Sequence, residues 1–87
     1  MAQLEVDVVA TDRQAWSGTA VSVSAPSVAG QIGILPGHTP LLAVLGKGTV
    51  RVLTGQGEPF EVEISGGFLS VDENLVTVVA DEVTAKG

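Results

Sequence analysis

Leu4, Val6 and Val8 alternate with Glu5 and Asp7, the two-residue period of a strand with one buried and one wet face. Thr11-Asp12-Arg13-Gln14 reads as a turn. After a short stretch around Trp16, Val21, Val23 and Ala25 alternate with Ser22 and Ser24, a second strand that Pro26 and Ser27 are expected to close. Leu41-Leu42-Ala43-Val44-Leu45 is apolar without alternation. Such a run predicts a strand that is either covered on both faces or lies against a partner. Gly46-Lys47-Gly48 ends it, and Thr49 to Thr54 forms another β-rich run. Gly55-Gln56-Gly57-Glu58-Pro59 is a strong turn, after which Phe60, Val62 and Ile64 alternate with Glu61 and Glu63, the pattern of a hairpin. Ser65-Gly66-Gly67 leads to Phe68-Leu69-Ser70-Val71, Asp72-Glu73-Asn74 makes a polar turn, and Leu75-Val76-Thr77-Val78-Val79-Ala80 completes the series. No window carries a helical period. Many short strands at this spacing predict an all-β sandwich or barrel, one domain over residues 1–87 whose last residues, from about 82, fray.

Between the second strand and the continuous apolar run lies Gly30-Gln31-Ile32-Gly33-Ile34-Leu35-Pro36-Gly37-His38-Thr39-Pro40-Leu41-Leu42. Its glycines and prolines exclude a helix, while its large aliphatics need burial. A short strand, a shaped turn and another strand satisfy both demands. Proline fixes φ and glycine opens conformations closed to other residues, so such a turn can present a rigid docking surface.

Composition narrows the fold and the partners. The chain is 45% hydrophobic but only 3% aromatic, so the core must be aliphatic, and its abundant valine suits a pleated surface better than a helix. A formal net charge of −6 opposes binding to nucleic acid or directly to an anionic lipid surface. With no cysteine, a disulfide framework and a thiolate zinc site are both excluded, and a reducing compartment fits. The first seven residues lack a basic start and a continuous apolar run, so they do not read as a secretion signal. The apolar runs are all shorter than the roughly 18 residues of a membrane span. A soluble cytoplasmic protein is expected, reaching a membrane only through another protein.

Catalytic chemistry finds little support, and no catalytic, cofactor-binding or metal-ligating residue is assigned. His38 is the only histidine and has no second histidine or cysteine with which to share a metal. Ser65 and Ser70 are available nucleophiles in composition only, since neither sits in a Gly-x-Ser-x-Gly elbow. Gly46-Lys47-Gly48 and Gly55-Gln56-Gly57 open no helix and read as hairpin turns rather than phosphate loops. Asp72-Glu73-Asn74 lacks the spacing of a calcium loop. Glu5 with Asp7, and Glu61 with Glu63, are alternating acids that solvate the outer face of a strand. Trp16 reads as a core or edge anchor. What remains is an interaction domain or, alternatively, a free-standing module binding a small ligand or peptide, which would require a concave pocket lined by convergent polar groups.

The thirteen residues from Gly30 to Leu42 closely resemble the signature of the epsilon subunit of F-type ATP synthases, called delta in mitochondria. The likeness extends to Leu4–Arg13 followed by Trp16-Ser17-Gly18, to Gly46–Val52, and to Gly66–Val71 followed by Val76–Ala80, in the family's order. The resemblance implies an antiparallel β-sandwich of about ten short strands that acts as a non-catalytic rotor subunit in the central stalk. It would join the gamma subunit to the c-ring, without a cofactor, and so couple proton flow to ATP synthesis at the cytoplasmic face of a bacterial membrane. Carried over by position, Gly30, Gln31, Ile32 and Gly33 form a loop facing the c-ring, and His38, Thr39, Pro40, Leu41, Leu42 and Ala43 face gamma. Gln31 stands where many relatives carry glutamate, so a neutral hydrogen bond takes the place of an ion pair there. Family members commonly continue into a C-terminal helical hairpin that can inhibit ATP hydrolysis. Residues 1–87 stop where those helices would begin, so neither inhibition nor nucleotide binding is expected of them.

Overall fold

The computed structural model describes residues 3–85. Ten strands follow one another: β1 (Leu4–Ala10), β2 (Gln14–Ala20), β3 (Ser22–Ser27), β4 (Gly30–Ile34), β5 (Leu41–Leu45), β6 (Gly48–Leu53), β7 (Phe60–Ile64), β8 (Gly67–Asp72), β9 (Leu75–Ala80) and β10 (Val83–Ala85). They are ordered β10-β7-β6-β3-β5-β8-β9-β1-β2, with β4 also pairing β3. The sheet folds over at β3, which pairs with β6 through Ser22–Ser24 but with β5 only where Ser27 meets Leu45. One layer is thereby β10, β7, β6, β3 and β4, and the other is β5, β8, β9, β1 and β2. The pairings are antiparallel except for β1 with β9, which run parallel.

The inward-facing positions interleave into one aliphatic core. Leu4, Val6, Val8, Leu69, Val71, Val76 and Val78 come from the second layer, and Val23, Ala25, Ile34, Val50, Val52, Val62 and Ile64 from the first. The expected all-β sandwich built on β-branched side chains is therefore present. Trp16 of β2 stacks on Phe60 of β7, with ring centroids 5.4 Å apart and planes inclined by 19°. That pair joins the two layers where their strands are not hydrogen-bonded to one another.

Three local expectations change. Pro26 and Ser27 do not close β3, which continues through both. The Pro26 carbonyl accepts from the Gly46 N–H at 2.8 Å, so the position's missing donor faces a side where pairing with β6 has already ended at Ser24. Residues around Trp16 form a full strand, β2, whose alternation is hidden because Gly18 occupies an inward position beneath the Trp16 ring. Fraying was expected from about residue 82, yet Val83–Ala85 pairs with Val62–Ile64 of β7 and Val83 packs on the core. Residues 86 and 87 lie outside the described part of the chain.

Candidate docking surface

The Gly30–Gly33 segment is not a loop. It belongs to β4, which pairs with β3 in the register Ser27–Gly30, Pro26–Gln31, Ala25–Ile32 and Ser24–Gly33. Ser27 ties the hairpin tip, its hydroxyl donating to the Gly30 carbonyl at 2.6 Å and accepting from the Ala29 N–H at 3.2 Å. Gln31 and Gly33 are exposed, whereas Ile32 packs on the core, so the strand presents its polar positions outward. Glycine and apolar residues in one edge strand need this hairpin anchorage, because they supply few side-chain contacts of their own.

The shaped turn follows at Leu35-Pro36-Gly37-His38, closed by the His38 N–H donating to the Leu35 carbonyl at 3.1 Å. Proline at its second position and a φ of 86° at Gly37 make it a type II turn. The Gly37 N–H donates to Asn74 Oδ1 at 2.7 Å, and the Glu5 N–H donates to the Asn74 carbonyl at 2.8 Å. Asn74 therefore ties the turn to the β8–β9 connection and to β1. His38 Nδ1 donates to the Thr39 carbonyl at 2.6 Å, which occupies the ring in holding the local backbone rather than in a catalytic pair. Beyond it, Leu41 and Ala43 turn inward while Leu42 points out with 72% of its surface open.

The continuous apolar run is thus not covered on both faces. Leu42 and Val44 share the outer face of β5, and cross-strand register extends that face: Val44 lies opposite Phe68, Phe68 opposite Val79, and Val79 beside Val9. Four apolar side chains thereby line up across β5, β8, β9 and β1, a span of about 14 Å at the usual strand spacing. Val28, itself exposed, donates its N–H to the Val44 carbonyl at 3.0 Å and lengthens the row past β5. The next row, Leu42, Ser70, Thr77 and Asp7, is mixed, and the one beyond it carries Asp72, Leu75 and Glu5. On the opposite layer the outer face is polar, with Arg51 paired to Glu61 at 3.0 Å across β6 and β7.

Of the residues along this apolar face, the family resemblance names Leu42 and not Val9, Val28, Val44, Phe68 or Val79. For Val9, Val44, Phe68 and Val79 the signal is present as apolar doublets, Val8-Val9, Val44-Leu45, Phe68-Leu69 and Val78-Val79, each with one member facing in and the other out. Among the described residues no group of three or more histidine, cysteine, aspartate or glutamate side chains could hold a metal. A depression of about 310 Å³ over β1 and β2, lined by Glu5, Asp7, Ser17, Thr19 and Leu75 among others, is an open surface groove rather than the concave pocket a ligand-binding module needs.

Fold and surface together define a β-sandwich with one outer face suited to being covered. The chain belongs to the ATP synthase delta/epsilon chain family, whose β-sandwich domain matches residues 3–86. It is 52% identical over 80 residues to the ATP synthase epsilon chain of Micrococcus luteus, a match covering 92% of this chain and 88% of that one. With the epsilon chain of Streptomyces avermitilis the identity is 45% over 80 residues, covering 92% of this chain and 64% of the relative. In fold it is similar to a chain of the Euglena gracilis mitochondrial ATP synthase, with a TM-score of 0.90 at 23% identity over 98% of this chain and 54% of that chain. A chain from the central stalk and c-ring of the Tetrahymena thermophila mitochondrial ATP synthase gives a TM-score of 0.78 at 14% identity, over 93% of this chain and 65% of that one. The chain thus spans about two thirds of the Streptomyces relative and about half of the Euglena chain.

Proposed function

We propose that this chain is a non-catalytic subunit of the central stalk of an F-type ATP synthase, joining the gamma subunit to the c-ring and coupling proton flow to ATP synthesis. The apolar row Val9–Val79–Phe68–Val44, with Leu42 and Val28 beside it, is the observation that carries this reading. A row of this kind on one outer face, facing away from an otherwise polar surface, favours a lasting protein partner. Gamma is placed on that row together with His38, Thr39, Pro40, Leu41, Leu42 and Ala43, where Leu41 and Ala43 act from within by holding the strand. The c-ring is placed against the exposed edge at Gly30, Gln31, Ile32 and Gly33, with the Gln31 amide offering neutral hydrogen bonds to polar loops.

A rotor part must transmit torque without yielding, and a sandwich whose two layers share one aliphatic core meets that demand. The negative charge keeps the domain off anionic lipid, so membrane association runs through the complex, on the cytoplasmic face of a bacterial membrane. Size-exclusion chromatography of the chain with purified gamma subunit tests the central claim. Co-elution as a one-to-one complex is expected; separate elution at micromolar concentrations overturns it.

A further inference from the structure

Proline at the second position of a four-residue turn is compatible with both type I and type II geometry, and glycine at the third position can adopt either. The two forms differ by a half-rotation of the peptide between them. In this turn that peptide joins Pro36 to Gly37, and its N–H is the group bonded to Asn74 Oδ1 at 2.7 Å. Because the peptide is planar and trans, aiming the Gly37 N–H at Asn74 aims the Pro36 carbonyl the opposite way, outward from the β8–β9 turn.

Asn74 is itself held for the task. Glu73 and Asn74 have φ of 49° and 65°, the two left-handed residues of a tight hairpin turn, and the Asn74 carbonyl is fixed by the Glu5 N–H. Its amide oxygen reaches a donor 37 positions earlier in the chain. Nothing in the hairpin requires that reach: glycine satisfies the same backbone conformation, so the side chain's contribution lies in the turn it caps.

We propose that Asn74 is the positioning residue of the Leu35–His38 turn, selecting its type II form and so presenting the Pro36 carbonyl as an acceptor to the docking partner. This deepens the assignment of His38–Ala43 to gamma and rests on it. Asn74 acts without touching the partner.

Two variants separate the roles. Asn74→Gly keeps the left-handed backbone and removes the acceptor, while Asn74→Asp keeps an acceptor at the same place. In the free domain, nuclear magnetic resonance should show the Gly37 amide of Asn74→Gly exchanging about 2- to 10-fold faster, as loss of one hydrogen bond predicts. The Pro36 Hα to Gly37 H–N cross-peak characteristic of type II should weaken, and Asn74→Asp should keep both signals. The dissociation constant for gamma should rise by a similar factor in Asn74→Gly alone, with its melting temperature lowered by no more than about 10 °C, as loss of one hydrogen bond in a domain of this size predicts. An unaltered Gly37 exchange rate overturns the proposal, and so does faster exchange with unaltered affinity. Should the unmodified chain itself fail to bind gamma, the stalk assignment is what falls. The exchange and cross-peak comparison then decides by itself whether Asn74 holds the turn.

Discussion

Replacing Leu42 and Val44 together by threonine isolates the apolar row from the core beneath it. Both side chains are already open to water in the free domain, Leu42 to 72% and Val44 to 60% of its surface. Fully burying an aliphatic side chain of this size contributes about 1.5–3 kcal/mol. Scaled by the exposed fractions, covering the pair by a partner contributes about 2–4 kcal/mol, and threonine, which keeps one methyl group, forfeits roughly 1–3 of that. The dissociation constant for gamma should therefore rise about 5- to 150-fold in isothermal titration calorimetry. Threonine suits an exposed strand position, so the melting temperature of the isolated domain should move by no more than about 4 °C. Glu61→Ala, on the outer face of the opposite layer, supplies the control and should leave affinity unchanged. An affinity loss below about threefold in the double variant, or an equal loss in the control, refutes the row as the contact.

Three other outcomes are expected. Pro36→Ala with Gly37→Val strains a residue at φ 86° while leaving open space around it, so the complex should weaken by more than the domain's stability; equal losses, measured by calorimetry and thermal melting, make the segment structural only. Gly67→Ala places a Cβ against the Val79 carbonyl and 2.8 Å from Ala80 Cα, both backbone of β9, at a φ of 146°. A loss of about 3 kcal/mol or more in urea unfolding should follow, and a loss under 1 kcal/mol contradicts that packing. Glu73→Asn puts a residue that tolerates left-handed backbone where Glu73 sits at φ 49°, and should stabilise by about 0.5–1 kcal/mol, read as a rise of a few degrees in melting temperature.

Strands whose inward positions are all large and apolar were readable from alternation, as in Leu4-Val6-Val8 and Phe60-Val62-Ile64. β2 escaped because its inward set is Trp16, Gly18 and Ala20: an ideal Cβ on Gly18 would lie 3.0 Å from the Trp16 ring, so the tryptophan fills two places and the glycine looks like a break. β10 escaped because three residues are too few to show a period, and pairing with β7 supplies what local propensity does not. The outer apolar face was half visible. Leu42 stood out within a continuous run, but Val9 and Val79 join Val44 and Phe68 only through a register among four strands of which β8 and β9 alone are sequence neighbours. Asn74 and Gly37 were likewise unconnected until the turn and the hairpin were brought face to face.

The parallel pairing of β1 with β9 also bears on how the molecule comes into being. Val6 and Val76 are partners although seventy positions separate them. During synthesis β1 can form its hairpin with β2 at once, but its other edge stays unpaired until β9 has emerged, seventy positions later. Pairing at that sequence distance makes folding slow and late, with closure of a long loop preceding any reward from the contacts. Until β9 arrives, Val6 and Val8 lack the strand beside them, and the nascent chain carries an open, valine-rich edge that invites aggregation. The last strand of that layer therefore works as a latch: its arrival converts a vulnerable meander into a closed body ready for assembly.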